Sequence, residues 1–354
     1  MIPDKNQFYS IKAKHSNKVA EVFRGDTGDN VNIQQYSWDG GNNKKWMFVP
    51  LNDNNYAIVC KHSGKVFEVF RGDSGDNVNI QQYHWNGGEN QQWFLHDSTD
   101  GYNEIQARHS GKVAEVFRGE TGDHVNIQQY SRNGGDNQKW LLDAVESFNL
   151  PSIQTHPVPE VPKYETINDI LPEQTEKVVT HYALAPCIAV VDPYYNDQQK
   201  IQTGNHYYLY VREQYWLKVT DHTLSPGETH EYTQVSGIKD TDANTVINTV
   251  SHTYGADAGL SFKSDSLSLG MSYQYSQELQ IHRTQVSEEL TVKQEVLTKV
   301  NNEDFTVAWT KYILVNNFYI QRADGTIVNE PWSMTDPSTT RSVSYPEGAK
   351  LSDV

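Results

Sequence analysis

Three times in its first half, 47 residues apart, the chain sets down the same polar and aromatic groups. The copies run His15–Trp46, His62–Trp93 and His109–Trp140 without gaps. Each holds a glutamate in Val-x-Glu-Val-Phe-Arg-Gly, three amides and a ring in Val-Asn-Ile-Gln-Gln-Tyr, and a further amide in Gly-Gly-x-Asn-x-x-Trp. A carboxylate or amide beside an aromatic ring is what the hydroxyls and the apolar C–H face of a sugar require. The same groups would also serve a purely structural purpose, hydrogen-bonding the turns of a β fold.

Other chemistry finds little support. The 13 histidines include no His-Glu-x-x-His, and the two cysteines, Cys60 and Cys187, cannot build a structural zinc site or a disulfide framework. There is no Gly-x-Ser-x-Gly elbow and no phosphate-binding loop, so neither a cofactor nor a metal is expected and the chain reads as a non-enzyme. Glu288-Glu289 is the one carboxylate pair that suggests a glycosidase, but neighbours on a strand point to opposite faces and cannot flank one bond. Arg24-Gly25-Asp26 and Arg71-Gly72-Asp73 spell an integrin tripeptide, yet the third copy reads Arg118-Gly119-Glu120. A repeated glycine turn after a strand explains all three.

The elements that carry the repeats follow from composition and spacing. The chain has 354 residues, a net charge of −16, 36% hydrophobic residues, 8 Trp, 21 Tyr and 11 Phe. Such an acidic chain repels phosphate, which argues against nucleic acid as a partner. It has no apolar run long enough for a membrane helix, and the N-terminus MIPDKNQFYS lacks the basic and apolar regions of a signal peptide. Short Val, Ile, Phe and Tyr runs broken by Gly-Asp and Gly-Gly turns predict strands rather than helices. Three copies of about four strands fit a closed pseudo-threefold β-trefoil. Its core would take Ile33, Ile80, Ile127, Trp46, Trp93 and Trp140. Cys60 aligns with Ala13 and Ala107 and reads as a small core residue.

Gln91-Gln92-Trp93 and Gln138-Lys139-Trp140 resemble the Q-x-W signature of ricin-B-type lectin modules, with Lys44-Lys45-Trp46 departing in the first copy. That resemblance implies one shallow sugar pocket per repeat. Pocket one would be Glu21, Gln34, Tyr36 and Asn43; pocket two Glu68, Gln81, Tyr83, Asn90 and Gln91; pocket three Glu115, Gln128, Tyr130, Asn137 and Gln138. The family usually places Asp where all three copies here place Glu, which moves the carboxylate by about one bond length.

A proline-rich stretch, 149–172, predicts an extended connector between a trefoil at 1–148 and a second domain at 173–354. Beyond it the chain reads as long strands at Tyr182–Val191, Tyr207–Val219 and from Thr241 to about Phe318, with Cys187 in the first of them. The window 254–275 alternates most cleanly. Tyr254, Ala256, Ala258, Leu260 and Phe262 share one face, then Ser264-Asp265-Ser266 allows a turn, and Leu267, Leu269, Met271, Tyr273 and Tyr275 resume that face. Two arms of about nine residues, apolar on one side, fit a hairpin that crosses a bilayer, or an amphipathic hairpin packed on a soluble core.

Ala185-Pro186-Cys187-Ile188, Asp192-Pro193, Tyr207-Tyr208 through Tyr215-Trp216, Glu231-Tyr232 and Thr245-Val246-Ile247-Asn248-Thr249 resemble the Bin-like (Tpp) insecticidal crystal toxins. The resemblance implies an all-β protein: a trefoil of three 47-residue repeats followed by an elongated aerolysin-like sheet domain that forms β-pores. It further implies storage in a parasporal crystal and action at the gut-cell membrane. The implied partners are cell-surface glycans or glycolipids, the target membrane, further copies of the chain in the pore and a possible second toxin component. Arg341 and Lys350 are candidate cleavage sites for releasing a covering tail. The alternatives are a stand-alone lectin that agglutinates without permeabilising, and a glycosidase with a lectin module.

Overall fold

The computed structural model describes residues 2–51, 54–98, 100–238, 292–328 and 330–353. The described residues are all-β apart from one short helix and a set of 3-10 turns, and they form two compact units. The first unit holds residues 2–151 together with 185–208.

Each repeat contributes four strands to this unit. They are β1 (Gln7–Ala13), β2 (Val19–Val22), β3 (Val31–Tyr36) and β4 (Trp46–Pro50); β5 (Asn55–Cys60), β6 (Val66–Val69), β7 (Val78–Tyr83) and β8 (Trp93–Asp97); and β9 (Asn103–Ala107), β10 (Val113–Val116), β11 (Val125–Tyr130) and β12 (Trp140–Ser147). The first and fourth strands of each repeat close a six-stranded barrel through β1–β4, β4–β5, β5–β8, β8–β9, β9–β12 and β12–β1. Second and third strands form the hairpins β2–β3, β6–β7 and β10–β11. These hairpins pair with one another in a ring, β3 with β7, β7 with β11 and β11 with β3. This is the expected trefoil, and it brings each repeat's third strand against its neighbours'.

Apolar residues at the repeated positions fill the barrel. Ile33, Ile80, Ile127, Trp46, Trp93 and Trp140 are all buried, as are Cys60, Ala13 and Ala107. An indole buried this deeply needs a partner for its N–H. Trp46, Trp93 and Trp140 donate to the carbonyls of Ala20, Phe67 and Ala114 at 3.0, 3.2 and 3.0 Å. Phe67 stands where the sister repeats have Ala20 and Ala114, and packs edge-on between Trp46 and Trp93. The Arg-Gly-Asp/Glu segments are 3-10 turns that end β2, β6 and β10, with Arg24, Arg71 and Arg118 at φ of 55°, 55° and 51°.

Residues 185–208 pack with this unit. The chain turns at Cys187–Ala189 and enters a helix, α1 (Asp197–Gln202), whose N-terminus is closed by a capping box between Asn196 and Gln199. Gly64, at φ +71°, allows this approach: a Cβ there would lie 2.2 Å from the Asp197 carbonyl oxygen. The strand expected over 182–191 therefore ends at Pro186, because the proline cannot donate to a ladder. Cys187 lies in the turn, not in a strand, and is buried.

His206 is buried between the rings of Phe148 and Phe8, at 4.3 and 5.2 Å, and its Nε2 finds no hydrogen-bond partner among the described residues. Burial, and after it the Lys61 charge, lowers its pKa to about 4. Above pH 6.5 the ring is neutral in folded and unfolded chains alike. As pH falls from 6.5 towards 4 the unfolded chain takes up the proton first, so stability is lost over that window, by at most about 3 kcal/mol. Melting temperatures of wild type and His206→Phe between pH 7 and 4 check this. The variant should lose much less than wild type, and parallel curves would exclude His206 as the cause.

The second unit is built on the antiparallel strands β13 (Val178–Pro186), β14 (Tyr207–Leu224), β15 (Thr229–Ile238), β16 (Lys293–Asn301), β17 (Val307–Gln321), β18 (Trp332–Tyr345) and β19 (Leu351–Asp353). Their order in the sheet is β13-β14-β17-β18-β15-β16-β19. β14 runs for 18 residues and β17 for 15, paired from Leu209↔Gln321 to Leu224↔Val307. From Ser152 the proline-rich segment belongs to this unit. The Trp216 indole donates to the Pro159 carbonyl at 2.8 Å, the Tyr312 hydroxyl to the Pro172 carbonyl at 2.7 Å, and the Lys218 amide to the Glu173 carbonyl at 2.8 Å. Val161, Tyr164 and Leu171 pack with Trp216 and Tyr312. Proline segments make no ladder of their own, so sheet side chains satisfy these carbonyls instead.

β15 and β16 are paired from Thr229↔Val300 to Ser236↔Lys293, so the described residues on either side of 239–291 lie side by side. The window 254–275 and Glu288-Glu289 lie outside the described residues.

Candidate functional site

Each repeat gathers its polar groups at the base of its second-strand hairpin. Glu115 on β10 lies opposite Gln128 on β11, and the 3-10 turn Asp136–Gln138 brings Asn137 and Gln138 beside them. Glu115 accepts from Gln128 Nε2 at 3.1 Å on one oxygen and from Gln138 Nε2 at 2.9 Å on the other. Asn137 Nδ2 donates to the Val116 carbonyl at 2.9 Å, while its Oδ1 accepts from no described residue. Gly135 makes room for it, since a Cβ there would stand 2.6 Å from Asn137 Oδ1.

These groups line an open depression of about 480 Å³, with Glu115, Gln128, Tyr130 and Asn137 joined by Asn77, Phe117, Arg118 and Asn133. Four of the five residues expected of the third pocket therefore share one concave surface. Gln138 does not: it is fully buried, fixing Glu115 from behind while its Oε1 accepts from the Asn133 amide at 2.9 Å. Gln91 takes the same place behind Glu68, at 2.8 Å. Both side chains lie buried behind the carboxylate and donate to it.

Asn77 belongs to the preceding repeat. Its amide donates to the Gln129 carbonyl at 3.0 Å, and with φ at 64° its Oδ1 accepts from Gln128 Nε2 at 3.2 Å. Asn30 does the same for Gln81, at 3.1 Å. A residue 51 positions away is brought in by the ring of hairpins, so nothing within one repeat marks it.

The second site keeps this arrangement. Glu68 accepts from Gln81 and Gln91, Asn90 donates to the Val69 carbonyl, and the Tyr83 ring lies 4.3 Å from His84. Burial pushes the Glu68 carboxyl above the ordinary carboxylate range, against the hydrogen bonds from Gln81 and Gln91.

The first site differs. Glu21 accepts from Gln34 Nε2 at 2.7 Å, and Lys44 Nζ reaches its other oxygen at 2.7 Å. Lys44 is buried, also holds Asp39 at 3.0 Å, and lies 5.0 Å over the Tyr36 ring. Burial alone would lower the Lys44 pKa, but the bonds to Glu21 and Asp39 prevail and raise it. Asn43 Nδ2 donates to the Val22 carbonyl at 2.9 Å. Gln34 also donates to His124 Nδ1 at 3.0 Å, which leaves the proton of a neutral ring on Nε2. Among the described residues, no cluster of three or more His, Cys, Asp or Glu is placed to hold a metal ion.

Comparison with known proteins agrees with this architecture. The sequence profile of the ricin-type β-trefoil lectin domain-like family matches residues 2–83, 69–129 and 89–168. The binary larvicide subunit BinA of Lysinibacillus sphaericus is 32% identical over 203 residues, covering 56% of this chain and 54% of BinA. The subunit BinB of the same organism is 29% identical over 195 residues, covering 54% and 43%. The insecticidal crystal protein Cry35Ab1 of Bacillus thuringiensis is 26% identical over 220 residues, covering 57% and 56%. Its crystal structure superimposes with a TM-score of 0.72 at 21% identity, over 98% of this chain and 91% of that one, and so shares the fold. The chain spans about half the length of the curated relatives it matches. It is a homologue of the Bin and Cry35 insecticidal toxins, with a ricin-type β-trefoil lectin-like domain ahead of a separate β-sheet domain.

Proposed function

We propose that this chain is an insecticidal pore-forming toxin whose trefoil binds glycans on the target gut-cell surface and whose second unit inserts 254–275 as a β-hairpin after oligomerising. The observation that carries the glycan half is the third depression. A carboxylate held by neutral amides, an asparagine oxygen and a tyrosine ring converge on one open surface. Such a set accepts sugar hydroxyls and covers a sugar's C–H face. Several weak sites on one rigid body raise the effective concentration at a membrane. That suits an acidic protein which bulk charge would keep from anionic lipid. In favour of the pore half, β15 and β16, which flank the segment, pair side by side, and the sequence over 254–275 alternates. Storage in a parasporal crystal and cooperation with a second component extend to this chain what the relatives' names, crystal protein and binary subunit, say of them.

Dye release from vesicles tests the reading. Vesicles bearing neutral glycolipids should leak after protease treatment of the toxin, and a competing free sugar should suppress leakage. Agglutination of glycolipid vesicles without leakage would instead favour a stand-alone lectin. For activation, Lys350 is the better-placed of the two cleavage candidates, because Arg341 lies within β18, paired with Tyr312, whereas Lys350 precedes the three-residue edge strand β19.

A further inference from the structure

The eight residues lining the third depression have counterparts 47 positions earlier that are identical at every one. Asn77, Glu115, Phe117, Arg118, Gln128, Tyr130, Asn133 and Asn137 correspond to Asn30, Glu68, Phe70, Arg71, Gln81, Tyr83, Asn86 and Asn90. The first site departs at two of the eight, Asp39 for Asn and His124 for Asn, and again at Lys44 behind the carboxylate. We infer that the trefoil is bivalent: pockets two and three bind the same neutral sugar, and Lys44, Asp39 and His124 withhold pocket one from it. This rests on the glycan-binding reading of the pockets.

The argument is one of charge and occupancy. Among the described residues Glu68 and Glu115 accept only from neutral amides, so no cation competes with a sugar hydroxyl for either carboxylate. Glu21 is already paired with a buried ammonium at 2.7 Å, and a hydroxyl would have to compete with that pair. The ring that would stack on a sugar is also engaged. Lys44 lies 5.0 Å over Tyr36, and the His124 ring stands 4.9 Å from it at 64°. Pocket two differs around its rim only modestly, with His84 beside Tyr83 where pocket three has Ser131.

The departures also fit one another. In pockets two and three the buried glutamine accepts from the amide of Asn86 or Asn133 at 2.8 and 2.9 Å, tying that loop to the carboxylate. In pocket one the same tie is made by opposite charges, Lys44 holding Asp39 and Glu21 together. A lysine there with no added acid would leave the loop untied, and an aspartate with no lysine would set two carboxylates side by side. The two changes together give a closed, charge-compensated keystone.

Isothermal titration of the full chain with galactose, N-acetylgalactosamine, lactose and mannose tests the inference, using whichever binds most tightly. We expect two sites per chain. Glu68→Gln and Glu115→Gln should each leave one, and the two together none. If those chains fail to fold by circular dichroism, Tyr83→Ala and Tyr130→Ala, which leave the buried carboxylates alone, should give the same counts. The combined Asp39→Asn, Lys44→Gln, His124→Asn chain should gain a third site. Three sites in wild type, or a folded triple variant still at two, would overturn the inference. If none of the four sugars binds, the glycan reading itself fails, a result distinct from either.

Discussion

Replacing Trp140 by alanine should lower the unfolding free energy of the trefoil by about 4 kcal/mol, the largest stability loss expected of a single substitution here. The indole is 1% exposed and lies in a layer with Trp46 and Trp93 that the threefold closure holds together. Its removal leaves a large cavity in a barrel whose six strands cannot collapse inwards without breaking their pairing. It also strips the Ala114 carbonyl of the N–H that reaches it at 3.0 Å, and an orphaned buried carbonyl adds its own cost. Phe67 offers no relief, because it packs on Trp46 and Trp93 and the equivalent position beside Trp140 is Ala114. For a unit of this size the change corresponds to a fall of roughly 10 °C in melting temperature. Urea unfolding followed by near-ultraviolet circular dichroism measures it. A loss below about 1 kcal/mol would mean that the three-tryptophan layer is not what holds the barrel closed.

The layer was legible in the sequence because recurrence at a fixed period pins both the fold and its core. Ile33, Trp46 and their sisters could be assigned to the interior from spacing alone, and all are buried. The pockets were only half legible. Glu115, Gln128, Tyr130 and Asn137 lie in one repeat and could be grouped by family resemblance. Asn77 could not, since it enters from the repeat before through the β7–β11 pairing. Lys44 was visible as a departure from Gln, but its meaning depends on Asp39 and Glu21 lying within 3.0 Å of one ammonium. The contacts of the proline-rich segment were hidden for a related reason. Prolines show no periodicity, and the bonds that hold the segment come from Trp216 and Tyr312, far along the chain. Pro186 marked the end of β13 plainly enough, yet the apolar run through Val191 hid it, because a buried turn and a buried strand share the same residue types.

On the pore reading, replacing Leu260 and Leu269 by arginine should abolish dye release while leaving attachment to glycolipid vesicles intact. Both leucines fall on the apolar face of the alternating arms, with Ala256, Ala258, Met271 and Tyr273. In an inserted hairpin that face meets lipid, where an arginine away from the interface costs about 2–4 kcal/mol. Two such residues enter with every hairpin, so the cost multiplies with each copy added to the barrel, and insertion loses even if oligomerisation on the surface does not. Binding is spared because the groups assigned to the sugar sites lie in the trefoil. Ser261 and Ser268 supply the orientation control. They alternate with the leucines and would face water in a closed barrel, so arginine there should leave leakage within a fewfold of wild type. Unimpaired leakage from the leucine variants would remove 254–275 from the bilayer. Equal loss from the serine variants would mean that any charge in this segment blocks activity, and that alternation does not set which face meets lipid.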